Sequence, residues 1–164
     1  MALRNIVKEG DPILRKKCRP VDEVTDRIKI LLDDMVETMR DAEGIGLAAP
    51  QVGVMRRLFV TETEPESPME FINPEILESG EEEVFTEGCL SVPGLVGDVN
   101  RPTHVKIRAM NRDGEYFEME LDGLAAVAFC HENDHLDGIL YIDKADDVRE
   151  PGSDEEGEEG EEEN

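Results

Sequence analysis

The sequence predicts an α+β fold that combines antiparallel β-strands with two helices of different character. Three observations carry this. An amphipathic helical pattern runs through "VTDRIKILLDDMVETMRDAEG"; two alternating segments flank Asp113-Gly114; and "DGLAAVAFCHENDHLDG" has a compact, alanine-rich helical body. At 164 residues the chain is long enough for one domain with a substantial core.

In the first helix Val24, Ile28, Leu31 or Leu32, Met35, Val36 and Met39 recur on one stripe. Thr25 or Asp22 can cap its start, and Gly44 lies just past its end. "GIGLAAPQVGV" holds three glycines and a proline, which excludes a simple strand or helix. "RRLFVTET" alternates at Leu58 and Val60 as a strand, "TEPESPME" reads as a loop, and "EFINPEILESGEEEVF" reads as two short strands turning near Gly80. In "THVKIRAM" the apolar positions are Val105, Ile107 and Ala109; in "EYFEMEL" they are Phe117, Met119 and Leu121. Asp113-Gly114 between them predicts a hairpin with a type I′ turn. The last helix is expected to start at an Asp122 N-cap and stop at Gly138. Leu124, Val127, Ala128, His131 and His135 fall on neighbouring turns of one face, so both histidines sit on its buried stripe.

The formal net charge is −24. The stretch from Glu150 to Asn164 holds nine acids and no base, and without it the rest still carries −15. That balance argues against direct binding to nucleic acid. Residues 1–148 are expected to form the domain and 149–164 a disordered acidic tail. Three cysteines, Cys18, Cys89 and Cys130, have no regular spacing, which argues against a disulfide framework. No apolar run is long enough to span a bilayer, and "MALRNIVKEG" has no signal-peptide core, so a soluble, cytoplasmic chain with no membrane partner is expected.

His131 and His135, four residues apart on a helix, can converge on one metal ion, and Glu132 beside them can take a proton from a bound water. Two unpartnered buried histidines are costly, which favours a ligand pair over an accident in a glutamate-rich chain. A catalytic metal commonly takes three protein ligands and keeps one position open. Of the candidates for the third, Cys89 in "EGCLSVPG" is better than His104, which reads as a surface residue at a strand start. An irregular backbone around Cys89 is expected to point its thiolate at the ion.

Three blocks together, "GIGLAAPQVG" (44–53), "EGCLSVPG" (87–94) and "HENDHLDG" (131–138), resemble the peptide deformylases in order and spacing. "GDPILRKKCRPV" and "KIRAMNRDGE" look like the same family, so the resemblance covers roughly residues 4 to 144. It implies removal of the formyl group from the N-terminal formyl-methionine of nascent bacterial proteins, with release of formate. It also implies that Cys89, His131 and His135 hold one divalent metal ion, usually Fe(II), with Zn(II) or Ni(II) able to replace it. Glu132 would be the proton carrier, while the Gln51 amide and the Leu90 backbone N–H would donate to the oxygen that gains charge. The methionine would enter a pocket lined by Ile45, Gly46, Leu90, Val127, Ala128 and His131, with Gly44 and Gly46 letting the peptide approach closely. The expected arrangement is antiparallel β-sheets around a central metal-binding helix, with the N-terminal helix packed outside.

The chain departs from the family pattern at three places. Cys130 stands where glutamine is usual, and Asn133 stands where an apolar residue is usual and so needs a partner. Cys130 is also a competing ligand candidate, although its neighbour His131 points about 100° away on the helix. The acidic end replaces the basic helix that helps many relatives dock on the ribosome, so any ribosome association is expected to be weak. Two rivals are a zinc peptidase, which needs a further ligand downstream of His135, and a relative that keeps the metal without the activity.

Overall fold

The computed structural model describes residues 2–152. Thr25 starts the first helix, α1 (Asp26–Asp41), by accepting a hydrogen bond from the Ile28 N–H. The helix ends where Gly44 N–H donates to the Met39 carbonyl at 2.9 Å, and Glu43 takes the left-handed conformation with φ 58°. After β1 (Gly46–Ala48) a 3-10 turn spans Ala49–Val52, so the glycine-rich segment is a short strand and a turn in succession. The strands that follow are β2 (Leu58–Thr61), β3 (Met69–Ser79), β4 (Glu82–Cys89), β5 (Val92–Pro102), β6 (His104–Met110) and β7 (Tyr116–Asp122). The second helix, α2 (Leu124–His135), and a final strand, β8 (Asp146–Arg149), complete the described chain.

The strands form two antiparallel sheets, one in the order β1-β2-β3-β6-β7 and one in the order β4-β5-β8. The larger sheet is covered on both faces. Leu47, Leu58, Val60 and Ile72 pack with Leu32, Met35 and Met39 of α1. Ala48, Phe59, Phe71 and Ile107 pack with Ala126, Phe129 and Cys130 of α2. This is why all four residues of β2 are buried rather than every second one. Each fully buried Leu or Met contributes about 1.5–3 kcal/mol, so the outer helix is held mainly by this face. On the other side of the larger sheet, α2 packs against β1, β2 and β7 and also meets β5 of the smaller sheet. It is therefore buried without a break from Ala126 to Glu132, on every side rather than along one stripe.

Several local expectations need correction. The segment around Gly80 joins β3 to β4, but the two are long strands in different sheets, because Gly80 N–H donates to His104 instead of closing a hairpin. The β6–β7 hairpin forms with Gly114 at φ 81°, but Asp113 is not at positive φ. Gly114 N–H donates to the Asn111 carbonyl, and Asn111 Oδ1 accepts from the N–H groups of Asp113 and Glu115, giving a tight turn closed by a left-handed glycine rather than type I′. Gly123, not Asp122, precedes α2, and no side chain caps it. The smaller sheet was not foreseen beyond β4. The expected tail from 149 lies outside the described residues from 153 onward, while Arg149 still belongs to β8 and pairs with Val96.

Candidate metal centre and catalytic cleft

Helical spacing puts His131 and His135 on successive turns of α2, with ring centroids 5.1 Å apart. Cys89 comes from the smaller sheet. It is the last residue of β4 and pairs with Val92 across a two-residue turn, and the β4–β5 register shifts between Glu87 and Cys89, so the backbone leading to it is irregular as expected. Its Sγ lies 3.4 Å from His135 Nε2, and one donor atom from each of Cys89, His131 and His135 lies within 4.8 Å of the others. No other such trio occurs among the described residues. His104 stands apart on β6, where it pairs with Glu120 and Asp122.

The surroundings fit a cation. Burial pulls the His131 imidazole down, but the charge of Glu132 and hydrogen bonds to Cys89 and Glu87 push it well above its ordinary value, so this spot favours positive charge. Burial, helped by His131 and Arg101, holds His135 well below its ordinary value, in the neutral form that ligates metals. His135 Nδ1 and Glu132 Oε1 are buried with no hydrogen-bond partner among the described residues. Two imidazoles and a thiol in such a setting suit a single divalent ion.

A buried ion-pair chain orients the site. His131 Nδ1 meets Glu87 Oε1 at 2.8 Å, which leaves its Nε2 to face the cluster. Arg101 grips the same carboxylate through Nε at 2.7 Å and Nη2 at 3.0 Å, and reaches Asp134 through Nη1 at 2.7 Å. Burial pushes the Glu87 carboxyl up, but the hydrogen bonds from His131 and Arg101 outweigh it and hold Glu87 below its ordinary value. Sequence reasoning missed both residues. Glu87 was near at hand, two positions before Cys89, but the register shift between them breaks the simple alternation that would have put both on one face. Arg101 was not, because nothing local marks a partner fourteen positions away.

Gln51 is buried in the turn after β1. Its Oε1 accepts from the Ala48 N–H at 2.9 Å, which fixes the amide so that Nε2 faces Ser91 Oγ at 3.0 Å and Cys89 Sγ at 3.5 Å. Glu132, beside His131, is pushed up to about 7 chiefly by burial. Its carboxylate presses on Gly46 so closely that a Cβ there would collide with Oε2. A Cβ at Gly44 would meet Leu90 Cδ1 at 2.6 Å. These two glycines are therefore favoured by the close approach of a side chain, which any larger residue would have to displace, and not by a turn.

A cleft of about 350 Å³ opens over these groups. Gly44, Ile45, Gly46 and Gln51 line it around β1, Cys89 and Leu90 at the end of β4, and Val127, Ala128, His131 and Glu132 from α2. Phe85 and Leu124 add apolar wall that had not been assigned to a pocket. The cleft runs between β1, an edge of the larger sheet, and β4, an edge of the smaller one.

Residues 3–150 match the family model described as polypeptide deformylase. The chain belongs to the polypeptide deformylase family. A peptide deformylase of Clostridium botulinum is 54% identical over 144 residues, 88% of this chain and 97% of the relative. One from Acetivibrio thermocellus is 55% identical over 144 residues, 88% of this chain and 84% of the relative. The crystal structure of peptide deformylase from Thermotoga maritima is similar with a TM-score of 0.86 and 44% identity, covering 89% of this chain and 99% of that one. The α+β architecture is thus that of the deformylases, and the chain is an enzyme of N-terminal processing that removes a formyl group.

Two helix positions depart from the deformylase pattern. Cys130 is buried in the core with Phe59, Phe71 and Phe129, and burial pushes its thiol up to about 11, so it packs as a small apolar residue away from the three donors. Asn133 has a buried Oδ1 with no hydrogen-bond partner among the described residues. The peptidase alternative asked for a ligand downstream of His135; Cys89, upstream, is the residue that joins the pair.

Proposed function

We propose that this cleft deformylates the N-terminal formyl-methionine of nascent proteins, with Cys89, His131 and His135 holding one Fe(II) ion that Zn(II) or Ni(II) can replace. The single observation that carries the reading is the meeting of those three donors beside Glu132 and Gln51 in one cleft. A divalent ion held there supplies the acidity that makes water nucleophilic at neutral pH. Glu132 takes the water's proton and later gives it to the leaving amine. A carboxyl pushed up to about 7 suits both steps. As the water oxygen attacks the formyl carbon, negative charge builds on the formyl oxygen, and Gln51 Nε2 and the Leu90 N–H donate to it. The Gln51 amide is held by Ala48 and Ser91, which supports this role, because only the N–H facing Cys89 Sγ at 3.5 Å has to turn to the new charge.

Gly44, Ile45, Gly46, Leu90, Val127 and Ala128 form the slot for the methionine side chain. An apolar wall suits an unbranched thioether, and an edge strand on each side suits an extended peptide. Such substrates place the enzyme in the cytoplasm. No helix among the described residues is long and apolar enough to cross a membrane. With a net charge of −24, its contact with the ribosome is weak and salt-sensitive.

The test is formate release from a formyl-Met-Ala peptide under anaerobic conditions, with and without a chelator, together with metal analysis of the purified chain. Turnover that survives complete removal of metal refutes the reading. Gln51→Leu should lower the rate and spare the metal content; unchanged turnover removes Gln51 from the mechanism.

A further inference from the structure

The two sheets share no strand pair, and the catalytic cleft opens between β1 of one and β4 of the other. Cys89 and Leu90 are consecutive in the chain, so the metal donor and the backbone N–H keep their spacing by covalent connection alone. Gln51 comes from the turn after β1, on the far side of the gap. Its placement against the other two needs a further tie, and the first residues of the chain supply one. Ile6 packs on the cluster that holds α1 to the larger sheet, and Val7 packs on the cluster of Val92, Val99 and Tyr141. The Val7 N–H donates to the Gln51 carbonyl at 2.7 Å, and the Glu9 N–H donates to the Ser91 carbonyl at 2.7 Å. N–H groups two residues apart in extended backbone face one way, about 6.5 Å apart, so this segment sets the span between those carbonyls. Between them, Lys8 Nζ reaches the Leu90 carbonyl at 3.4 Å.

Side chains close the ring. Gln51 Nε2 donates to Ser91 Oγ at 3.0 Å, and both residues are buried. One amide proton is thus committed to Ser91 and Oε1 is committed to Ala48, which leaves a single N–H for a substrate oxygen. Upstream the segment is anchored on α1. The Ala2 N–H and Arg4 Nε donate to the buried Asp34, and the Arg4 N–H donates to Thr38 Oγ1. We propose that residues 7–9 and Ser91 are positioning residues that tie Gln51 across the gap between the sheets and aim its free amide N–H relative to Cys89 and Leu90. The inference rests on the donor role given to Gln51 above.

The experiment measures kcat, KM and metal content for formate release from a formyl-Met-Ala peptide. Full-length Glu9→Pro, Ser91→Ala and Gln51→Leu are compared, with each of the first two also combined with Gln51→Leu. Gly10 has φ 104° and the Asp11 N–H donates to the Lys8 carbonyl at 3.1 Å, so Glu9 holds a turn position that accepts proline. Glu9→Pro therefore deletes the N–H that reaches Ser91 and keeps the turn. Glu9→Pro and Ser91→Ala should each lower kcat by about 10-fold or more, short of the roughly 10²–10³ that losing a whole oxyanion donor costs. KM and metal content should stay at the parent values, and neither change should lower kcat further once Gln51→Leu is present. Glu9→Ala, which keeps the N–H, should give the parent kcat. A fall of the same size with and without Gln51 overturns the proposal, because the segment then acts on the fold at large; so does a parent kcat in Glu9→Pro. If Glu9→Pro loses its metal or fails to fold, Ser91→Ala, which leaves the backbone alone, decides by the same comparison. A parent kcat in Gln51→Leu by itself refutes the donor role, and the proposal with it, and is told apart from the other failures by that single variant.

Discussion

Glu87→Gln is the change that most directly probes how the metal centre is held. Both Glu87 oxygens are in use: Oε1 meets His131 Nδ1 at 2.8 Å and Arg101 Nη2 at 3.0 Å, and Oε2 meets Arg101 Nε at 2.7 Å. Glutamine has nearly the same shape but replaces one oxygen with an NH₂ group. Whichever way it turns, a donor faces a donor, either at Arg101 or at His131. Neither can turn to water instead, since Arg101 is 2% and His131 8% exposed. Breaking a buried ion pair from one side costs about 3–5 kcal/mol, a large part of the roughly 5–15 kcal/mol that stabilises a domain. At about 2–4 °C per kcal/mol, the melting temperature should fall by about 6–20 °C. If His131 is a ligand as proposed, losing the partner that orients it should also weaken metal affinity about 10–100-fold. Thermal melting by circular dichroism and competition with a chromogenic chelator measure the two effects. If both quantities stay within error of the parent, the Glu87 carboxylate is not what holds Arg101 and His131 in place.

Three further outcomes follow from other contacts. Gly46→Ala puts a methyl group into the Glu132 carboxylate, so formate release should fall about 100-fold or more while metal content stays at one per chain; loss of metal instead would show that the collision is absorbed elsewhere. Asn133→Leu removes a buried, unpartnered acceptor and should raise stability by about 1–3 kcal/mol, read as a higher melting temperature, whereas Cys130→Ala should leave metal stoichiometry unchanged. Because the folded Glu87 carboxyl titrates below its ordinary value, its contribution is fully present above about pH 4.3 and is lost as pH falls through the folded value. The melting temperature should therefore drop on acidification, and less steeply over that window in Glu87→Gln.

What the sequence made legible was local. The α1 stripe, its Thr25 cap and the alternation in β6 and β7 arise from spacing within a dozen residues, and each appears in the structure. The site residues with the closest geometry, His131, Glu132 and His135, are likewise set by one helical turn. The smaller sheet was harder. β5 runs through "VPGLVGDVNRP", with two prolines and two glycines, and is recognisable as a strand only from its pairing with β4 and β8. The assignment of β3 and β4 to different sheets depends on Gly80 meeting His104, a contact twenty-four positions apart. Arg101 shows the same limit, since a guanidinium buried against Glu87 and Asp134 looks in sequence like any surface arginine.

The proton affinity of Glu132 follows from how these distant contacts balance. His131 and Arg101 pull its carboxyl down, and Glu87 and Asp134 push it up. Arg101 is itself bound to both of those acids, so the charges arrive at Glu132 as a largely self-cancelling set. Burial is then what decides, and burial depends on the backbone of β1 lying against the carboxylate at Gly46. A larger residue at 46 would open that contact to water and lower the affinity, while an uncompensated Arg101 would lower it through its charge. The Glu87–Arg101–Asp134 chain thus has two tasks. It orients His131, and it presents its cation to Glu132 already neutralised, so that a close glycine contact can set a carboxyl of near-neutral proton affinity beside three candidate metal donors.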